Sequence, residues 1–379
     1  MQTTGTLEPS PTTPVHQKKK IENFSWDRYY HLLCSIASGQ FTYLIFFVTA
    51  QCNARCRMCF YWKEIDEFKE RGLLSIKEIE RITKGFKNLA YISLAGGEPT
   101  LRDDLDEIIY LFYKNSGTRY ANFTTNGLLP DKTVAIVASA LKKCPHILLK
   151  VNLSIDDIGD KHDYIRDVPG NFKKMLQTIS LLNELKKKHS NLVLVVSSVL
   201  NSYNKNGMKT IIDYVKDELG PDAHSIGLAR GNAREVATKD VSIPEYEEVM
   251  RYLHQRNNSK KGLMQVLLNM MMEINSQFLA TKKMVIPCVA GKRILTITDD
   301  GLVVPCEMLK QLQPDKDFVM GDIRKHNYDI NSILKTEKYK QIVEHIRKTH
   351  CACTFECATL WNITLNPRLY PKILSRLFS

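Results

Sequence analysis

Three thiols fall within eight residues, at Cys52, Cys56 and Cys59, directly after an apolar run from Phe41 to Val48. Cysteines this close cannot all pair with one another. The first twenty residues lack the apolar core of an export signal, so these thiols are expected to stay reduced and to ligate a metal or an iron–sulfur cluster. A cubane has four irons that prefer thiolate. Three cysteines therefore leave one iron open, where a substrate or cosubstrate binds and receives an electron. A zinc knuckle would need a fourth Cys or His close by, and the sequence around the trio offers none. Five further thiols, Cys288, Cys306, Cys351, Cys353 and Cys357, lie toward the C-terminus, where four suffice for a second cluster or for a zinc ribbon.

The elements that must position these groups read as strand and helix in alternation. Short apolar or β-branched runs at 43–49, 91–95, 119–125, 147–154, 192–200 and 225–229 are the expected strands. Ser75 opens a helix over 76–88, Asp103 one over 104–113, and Asn171 a longer one reaching Lys188. Such alternation predicts an α/β fold with a parallel sheet, and six βα units predict a partial (βα)6 TIM-type barrel with its chemistry at the carboxyl ends of the strands. The motifs obey that geometry. The cysteine loop follows the first strand, and Gly96-Gly97-Glu98-Pro99 follows the second. The glycines let backbone approach a ligand, Glu98 offers an acceptor for an ammonium, and Pro99 stiffens the turn. Thr124-Thr125-Asn126-Gly127 ends the third strand, and Ser154 and Asp156 lie at the tip of the fourth. Next comes His162-Asp163-Tyr164-Ile165-Arg166, whose arginine fork suits a carboxylate. Asn201 and Arg230-Gly231-Asn232 follow the last two strands.

The Cys-x3-Cys-x2-Cys spacing, with Phe60 just after it and the Gly-Gly-Glu-Pro turn about 40 residues on, resembles the signature of the radical S-adenosylmethionine (radical SAM) superfamily. Met58 stands where that family usually has an aromatic residue. The resemblance implies a SAM-binding [4Fe–4S] cluster on Cys52, Cys56 and Cys59. It also implies SAM contacts from Phe60, Gly96, Gly97, Glu98, Pro99, Asn126, Ser154, Asp156 and Arg166, and a flavodoxin- or ferredoxin-type reductant. The Cys288-x12-Gly301-x4-Cys306 segment, with an Asp299-Asp300-Gly301 hairpin turn, resembles the start of SPASM and twitch auxiliary-cluster domains. Five cysteines are fewer than the seven of a full SPASM domain, which implies one auxiliary [4Fe–4S] cluster. Cys288, Cys306 and Cys357 are the expected ligands, with the fourth from Cys353 or Cys351. The implied activity is reductive cleavage of SAM to a 5′-deoxyadenosyl radical that takes hydrogen from an unreactive carbon. A non-catalytic iron–sulfur or zinc electron carrier is the rival, and it would have no use for the SAM motifs. No side-chain acid–base catalyst stands out.

Composition sets the outer bounds. At 44% hydrophobic and 25% charged, the 379-residue chain is globular rather than disordered. A net charge of +12 is spread along the chain, so no nucleic-acid partner is expected. The one dense run, Lys18-Lys19-Lys20, belongs to a polar tail over 1–23. An amphipathic helix from Phe24 to Ile36 is expected to pack beneath the barrel or to lie on a membrane surface. The barrel is expected over 41–240, a helical linker with a Met-rich helix over 241–284, the cluster domain over 285–365 and an amphipathic tail over 366–379. Cys34 and Cys144 read as buried small hydrophobes. No run reaches the length of a membrane span, so a cytoplasmic protein is expected, acting on a small molecule, a lipid or a peptide.

Overall fold

In the computed structural model, residues 26–68, 72–257 and 262–378 are described. The polar tail and its lysine run lie outside them. In chain order the elements begin with α1 (Trp26–Ala37), β1 (Tyr43–Thr49), α2 (Trp62–Asp66), α3 (Ile76–Lys84), β2 (Tyr91–Gly96), α4 (Leu105–Asn115), β3 (Tyr120–Thr125) and α5 (Pro130–Lys143). Then come β4 (Leu148–Ser154), α6 (Asp160–Arg166), α7 (Asn171–Lys186), β5 (Leu192–Leu200), α8 (Met208–Tyr214), β6 (Ala223–Leu228), α9 (Ile243–Asn257) and α10 (Leu263–Thr281). The remainder is β7 (Ile294–Ile297), β8 (Leu302–Val304), α11 (Leu309–Leu312), β9 (Gly321–Asp322), α12 (Ile330–Leu334), α13 (Glu337–Lys348), α14 (Glu356–Thr364) and α15 (Tyr370–Phe378).

Strands β1 to β6 pair in parallel in sequence order, as an α/β partial barrel requires. Alternation across the sheet divides its two faces. Leu44, Phe46, Ile92, Leu94, Ala121, Phe123, Leu149, Val151 and Leu153 face the helices and are buried, with Phe46 edge-on to Phe112 of α4. Helix ends follow their local chemistry. Ser75 and Glu78 form a reciprocal capping box on α3. That helix is shorter than its spacing implies, because it stops at Gly85 and Asn88 reverses the chain at φ 56°.

The cluster region joins the sheet of the barrel. β7 pairs in parallel with β1, from Tyr43↔Ile294 to Phe46↔Ile297, and β8 and β9 continue antiparallel, so one nine-stranded sheet runs through both parts. Two expectations change, both on helix α1. The helix lies inverted: Arg28 and Ser35 are buried, while Trp26, Tyr30 and Leu33 are exposed. Its apolar residues therefore do not pack beneath the barrel. Cys34, on that helix, is only partly buried, whereas Cys144 is fully buried. The Met-rich α10 does fill core space, since Met270 and Met271 are buried with Val266, Leu267, Ile363 and Ile373. Ile373 comes from α15, so the C-terminal helix turns its apolar side onto α10. No helix among the described residues is long and apolar enough to cross a membrane.

The β7–β8 turn also ties the two ends of the sequence together. Asp299, 1% exposed, accepts the Ala50 N–H at 3.0 Å and the Tyr61 hydroxyl at 3.2 Å, and its carbonyl accepts the Leu74 N–H at 2.8 Å. Asp299→Ala strands two donors at the base of the cysteine loop. It is expected to lower the unfolding free energy by about 2–4 kcal/mol in denaturant titration.

Candidate functional site

The carboxyl ends of the strands form one mouth, and backbone contacts between successive loops build it. The Gly97 N–H bonds the Thr49 carbonyl at 2.8 Å, and the Glu98 N–H bonds the Gln51 carbonyl at 2.7 Å. A Cβ on Gly97 would sit 1.9 Å from the Gln51 carbonyl oxygen. One on Gly96, at φ 126°, would sit 2.0 Å from that of Thr49. The two glycines thus admit the cysteine loop's own backbone, which the sequence had pointed toward a ligand. Pro99 starts a short 3-10 turn behind them. Glu98 is 2% exposed. One of its oxygens accepts the Thr100 hydroxyl at 2.6 Å and the other the Asn126 N–H at 2.7 Å. Burial pushes its carboxyl up, partly offset by these hydrogen bonds. Asn126 in turn donates to the side chain of Asn53, inside the cysteine loop, at 2.7 Å.

Cys52, Cys56 and Cys59 share this mouth. Burial and then the Cys56 thiol push Cys52 and Cys59 up to about 12. Such mutual repulsion relaxes when a cation cluster binds thiolates, which is the fit expected of cluster ligands. Burial raises Cys56 as well, opposed by Arg166, whose terminal nitrogen lies 3.7 Å from the Cys56 sulfur. A cavity of about 280 Å³ opens beside the loop, lined in part by Gln51, Cys52, Arg55 and Leu101. Among the described residues no three Cys, His, Asp or Glu side chains converge as a single-ion chelate. Phe60 lies under the Arg230 guanidinium, 5.8 Å from ring centre to its central carbon.

Ser154 is buried at the tip of β4, paired across to Ser197. Asp156 is occupied within the protein. One oxygen accepts the Val199 N–H at 2.7 Å, and the other sits 2.6 Å from Nε of Arg166. It therefore holds the arginine. Behind it, buried His162 accepts the Asp156 N–H on Nδ1 at 3.1 Å, which leaves Nε2 as the donor to the Asn171 side chain at 3.1 Å. Burial and the Arg166 charge press the His162 pKa down to about 3.

The C-terminal thiols divide in a way their spacing does not show. Burial raises Cys306, as do the thiols of Cys288, Cys353 and Cys351; Cys351 and Cys353 are raised by burial and Cys288. Those four form one electrostatic group. Around Cys357, also an expected ligand, stand Tyr43, Glu307, Lys150 and Glu356, and Arg230 is near both it and Cys353. The cause is helical. Cys357 is the second residue of α14, which carries Glu356 onto β6 through the Leu228 N–H and stacks Trp361 on Tyr43 of β1. Arg230 bridges Glu356 and Glu307. Sequence reasoning passed over Lys150, Tyr43, Glu307 and Glu356; a lysine within an otherwise apolar barrel strand was the available signal.

Fold and mouth together define an α/β partial-barrel protein with two thiol groups arranged for iron–sulfur clusters. Residues 46–215 match the model of the radical SAM superfamily, and residues 288–358 match that of an iron-sulfur cluster-binding domain, SPASM. The cofactors that go with these two domains are a [4Fe–4S] cluster, SAM and an auxiliary iron–sulfur cluster. Among relatives, the GTP 3',8-cyclase of Aquifex aeolicus (strain VF5) is 29% identical over 175 residues, 45% of this chain and 51% of that protein. The GTP 3',8-cyclase of Cronobacter sakazakii (strain ATCC BAA-894) is 33% identical over 147 residues, 37% of this chain and 42% of its own length. The chain thus spans about half the length of the curated relatives it matches. In fold it is similar to anSMEcpe with bound AdoMet, at TM-score 0.60 and 16% identity over 89% of this chain and 95% of the other. It is also similar to Streptococcus suis SuiB bound to precursor peptide SuiA, at TM-score 0.55 and 18% identity over 83% and 70%.

Two outcomes test this geometry. Gly97→Ala is expected to displace the cysteine loop and to remove about four irons per reconstituted chain, counted colorimetrically, while the C-terminal cluster stays. His162 has a folded pKa below its unfolded value, so its contribution is fully present above pH 6.5 and is lost as pH falls toward 3. Over that window wild type should lose on the order of 4 kcal/mol more than His162→Gln, read from denaturant midpoints at each pH.

Proposed function

We propose that this chain cleaves SAM reductively at the Cys52, Cys56 and Cys59 mouth and abstracts hydrogen from an unreactive carbon of a small molecule held in the barrel. The observation that carries the reading is the mutual bonding of the motifs: Gly97 to Thr49, Asn126 to Asn53 and Arg166 to Cys56. With SAM on its open iron, the chemistry such a cluster supplies is one-electron cleavage to methionine and a 5′-deoxyadenosyl radical.

The residues divide the remaining work. Cys52, Cys56 and Cys59 hold the cluster, and Arg166 offsets thiolate charge while its second terminal nitrogen is left for the SAM carboxylate. Asp156 acts as a positioning residue for that arginine. The buried Glu98 carboxylate supplies negative charge for the SAM ammonium, and Phe60, Gly96, Gly97, Pro99, Asn126 and Ser154 wall the same mouth. Cys288, Cys306, Cys351 and Cys353 are the proposed auxiliary ligands. Four thiolates leave no open iron, so that cluster carries electrons during substrate oxidation rather than binding substrate. The names of the cyclase relatives support a small-molecule substrate, and a flavodoxin- or ferredoxin-type protein is the proposed reductant.

Anaerobic reconstitution, reduction with SAM and an assay for 5′-deoxyadenosine test the reading. Wild type should form it, and the triple variant Cys52→Ala, Cys56→Ala, Cys59→Ala should not, while keeping about four irons. Cys306→Ala should lose the auxiliary cluster and Cys357→Ala should keep it. Zinc in place of iron, or a cluster without SAM cleavage, overturns the proposal.

A further inference from the structure

The inner face of the barrel is polar. In register across β2, β3 and β4 lie Ser93, Asn122 and Lys150, and above them Thr124 and Asn152 of β3 and β4. All share the face opposite the helix-packed row, since side chains alternate along each strand. A barrel interior filled for stability would carry layers of branched aliphatic residues here. Instead Ser93 and Lys150 are partly exposed and Thr124 is exposed. Cys357 is also exposed, although Tyr43 of β1, Lys150 of β4, Glu307 and Glu356 surround it. The surface these groups expose is that of an internal chamber, roofed on one side by α14.

Two groups in the chamber have unmet needs. Lys150 hydrogen-bonds the side chain of Tyr91, whose ring centre is 5.9 Å away, and lies beside Cys357, both neutral groups. Among the described residues no carboxylate pairs with it; the nearby Glu307 and Glu356 are taken by Arg230. An ammonium so enclosed is costly without an anion. Asn122, its neighbour in the row, is 6% exposed and its side-chain oxygen is buried with no hydrogen-bond partner. An acceptor in that state calls for a donor from outside the protein. Lys150 stands four residues below Ser154 on the same strand, roughly 13 Å at a rise of about 3.3 Å per residue. That is the span of a small molecule reaching from the chamber floor to the mouth.

We propose that Lys150 anchors an anionic group, phosphate or carboxylate, of the substrate, and that Asn122 accepts a hydrogen bond from a substrate hydroxyl or amine. Substrate therefore enters anion first, with its reacting carbon toward the mouth. The inference deepens the proposed function and rests on its placement of SAM.

The test uses the reconstituted, SAM-loaded enzyme and titrates inorganic phosphate in one arm and succinate in the other, following the thermal midpoint to an apparent Kd. Wild type and the surface control Lys188→Gln are expected to saturate with at least one anion. Lys150→Gln should bind it at least about tenfold more weakly, and Lys150→Arg should stay within about threefold of wild type. Saturation by phosphate alone assigns a phosphorylated substrate, and by succinate alone a carboxylate. Equal affinity in wild type and Lys150→Gln, or no saturable binding in wild type, overturns the proposal. Iron content and 5′-deoxyadenosine formation without added anion show that Lys150→Gln is folded. They also report on SAM cleavage separately, so failure of that reading and failure of this one are distinguishable.

Discussion

The backbone contact of residues 49–51 with 96–98 governs the mouth. Two peptide planes approach so closely that any side chain at Gly96 or Gly97 would overlap a carbonyl of the cysteine loop. The loop has little regular structure of its own. It is held instead by hydrogen bonds to its neighbours: the Gly-Gly turn on one side, Asn126 through Asn53, and Ile165 through the Arg57 N–H at 3.0 Å. A ligand loop fixed from several sides presents its thiols with little freedom, the preorganisation a cluster site needs.

Electrostatics continues the same logic inward. Arg166 is buried, and its charge is shared between the Asp156 carboxylate and the Cys56 sulfur. An arginine is costly to bury alone, and a thiolate is costly beside carboxylates. Set together they offset one another. Asp156 is then kept in place by Val199 and by His162, whose neutral ring accepts a backbone N–H. A chain of donation runs from Asp156 N–H to His162 and on to Asn171, which itself donates to the Asn126 carbonyl at 2.7 Å. The tip of β4 and the tip of β3 are thereby one network.

The C-terminal part is built into the barrel. Pairing of β7 with β1 places Asp299 under the cysteine loop, and α14 spans from β6 to β1 across the open side. Cys357, on α14, lies beside Tyr43 and Lys150 of the barrel. Two of the proposed auxiliary ligands, Cys351 and Cys353, and helix α14 come from one short stretch of chain, so the proposed electron path and substrate pocket share a scaffold.

Most of the barrel was legible in the sequence, because strand identity follows from short apolar runs and their alternation with capped helices. Strands β1 and β5 have the ends the sequence predicts, and the others differ by one or two residues. The cysteine spacing and the Gly-Gly-Glu-Pro turn pointed to one mouth, since parallel strands bring their carboxyl ends together whatever the details of packing. What the sequence could not reveal depends on contacts between residues far apart in the chain. Pairing of β7 with β1 joins positions about 250 apart, and no local pattern encodes it. The apolar residues of α1 have helical spacing, yet periodicity states that a face exists and not which way it turns. Cys357 has the spacing of a ligand, and only the direction of α14 reveals that Tyr43, Lys150, Glu307 and Glu356 stand around it. Only the register puts Lys150 beside Ser93 and Asn122. Local chemistry determined the elements and the cluster motif, while tertiary packing decided which thiols meet and what lines the chamber, because both depend on long-range pairing rather than on neighbours in sequence.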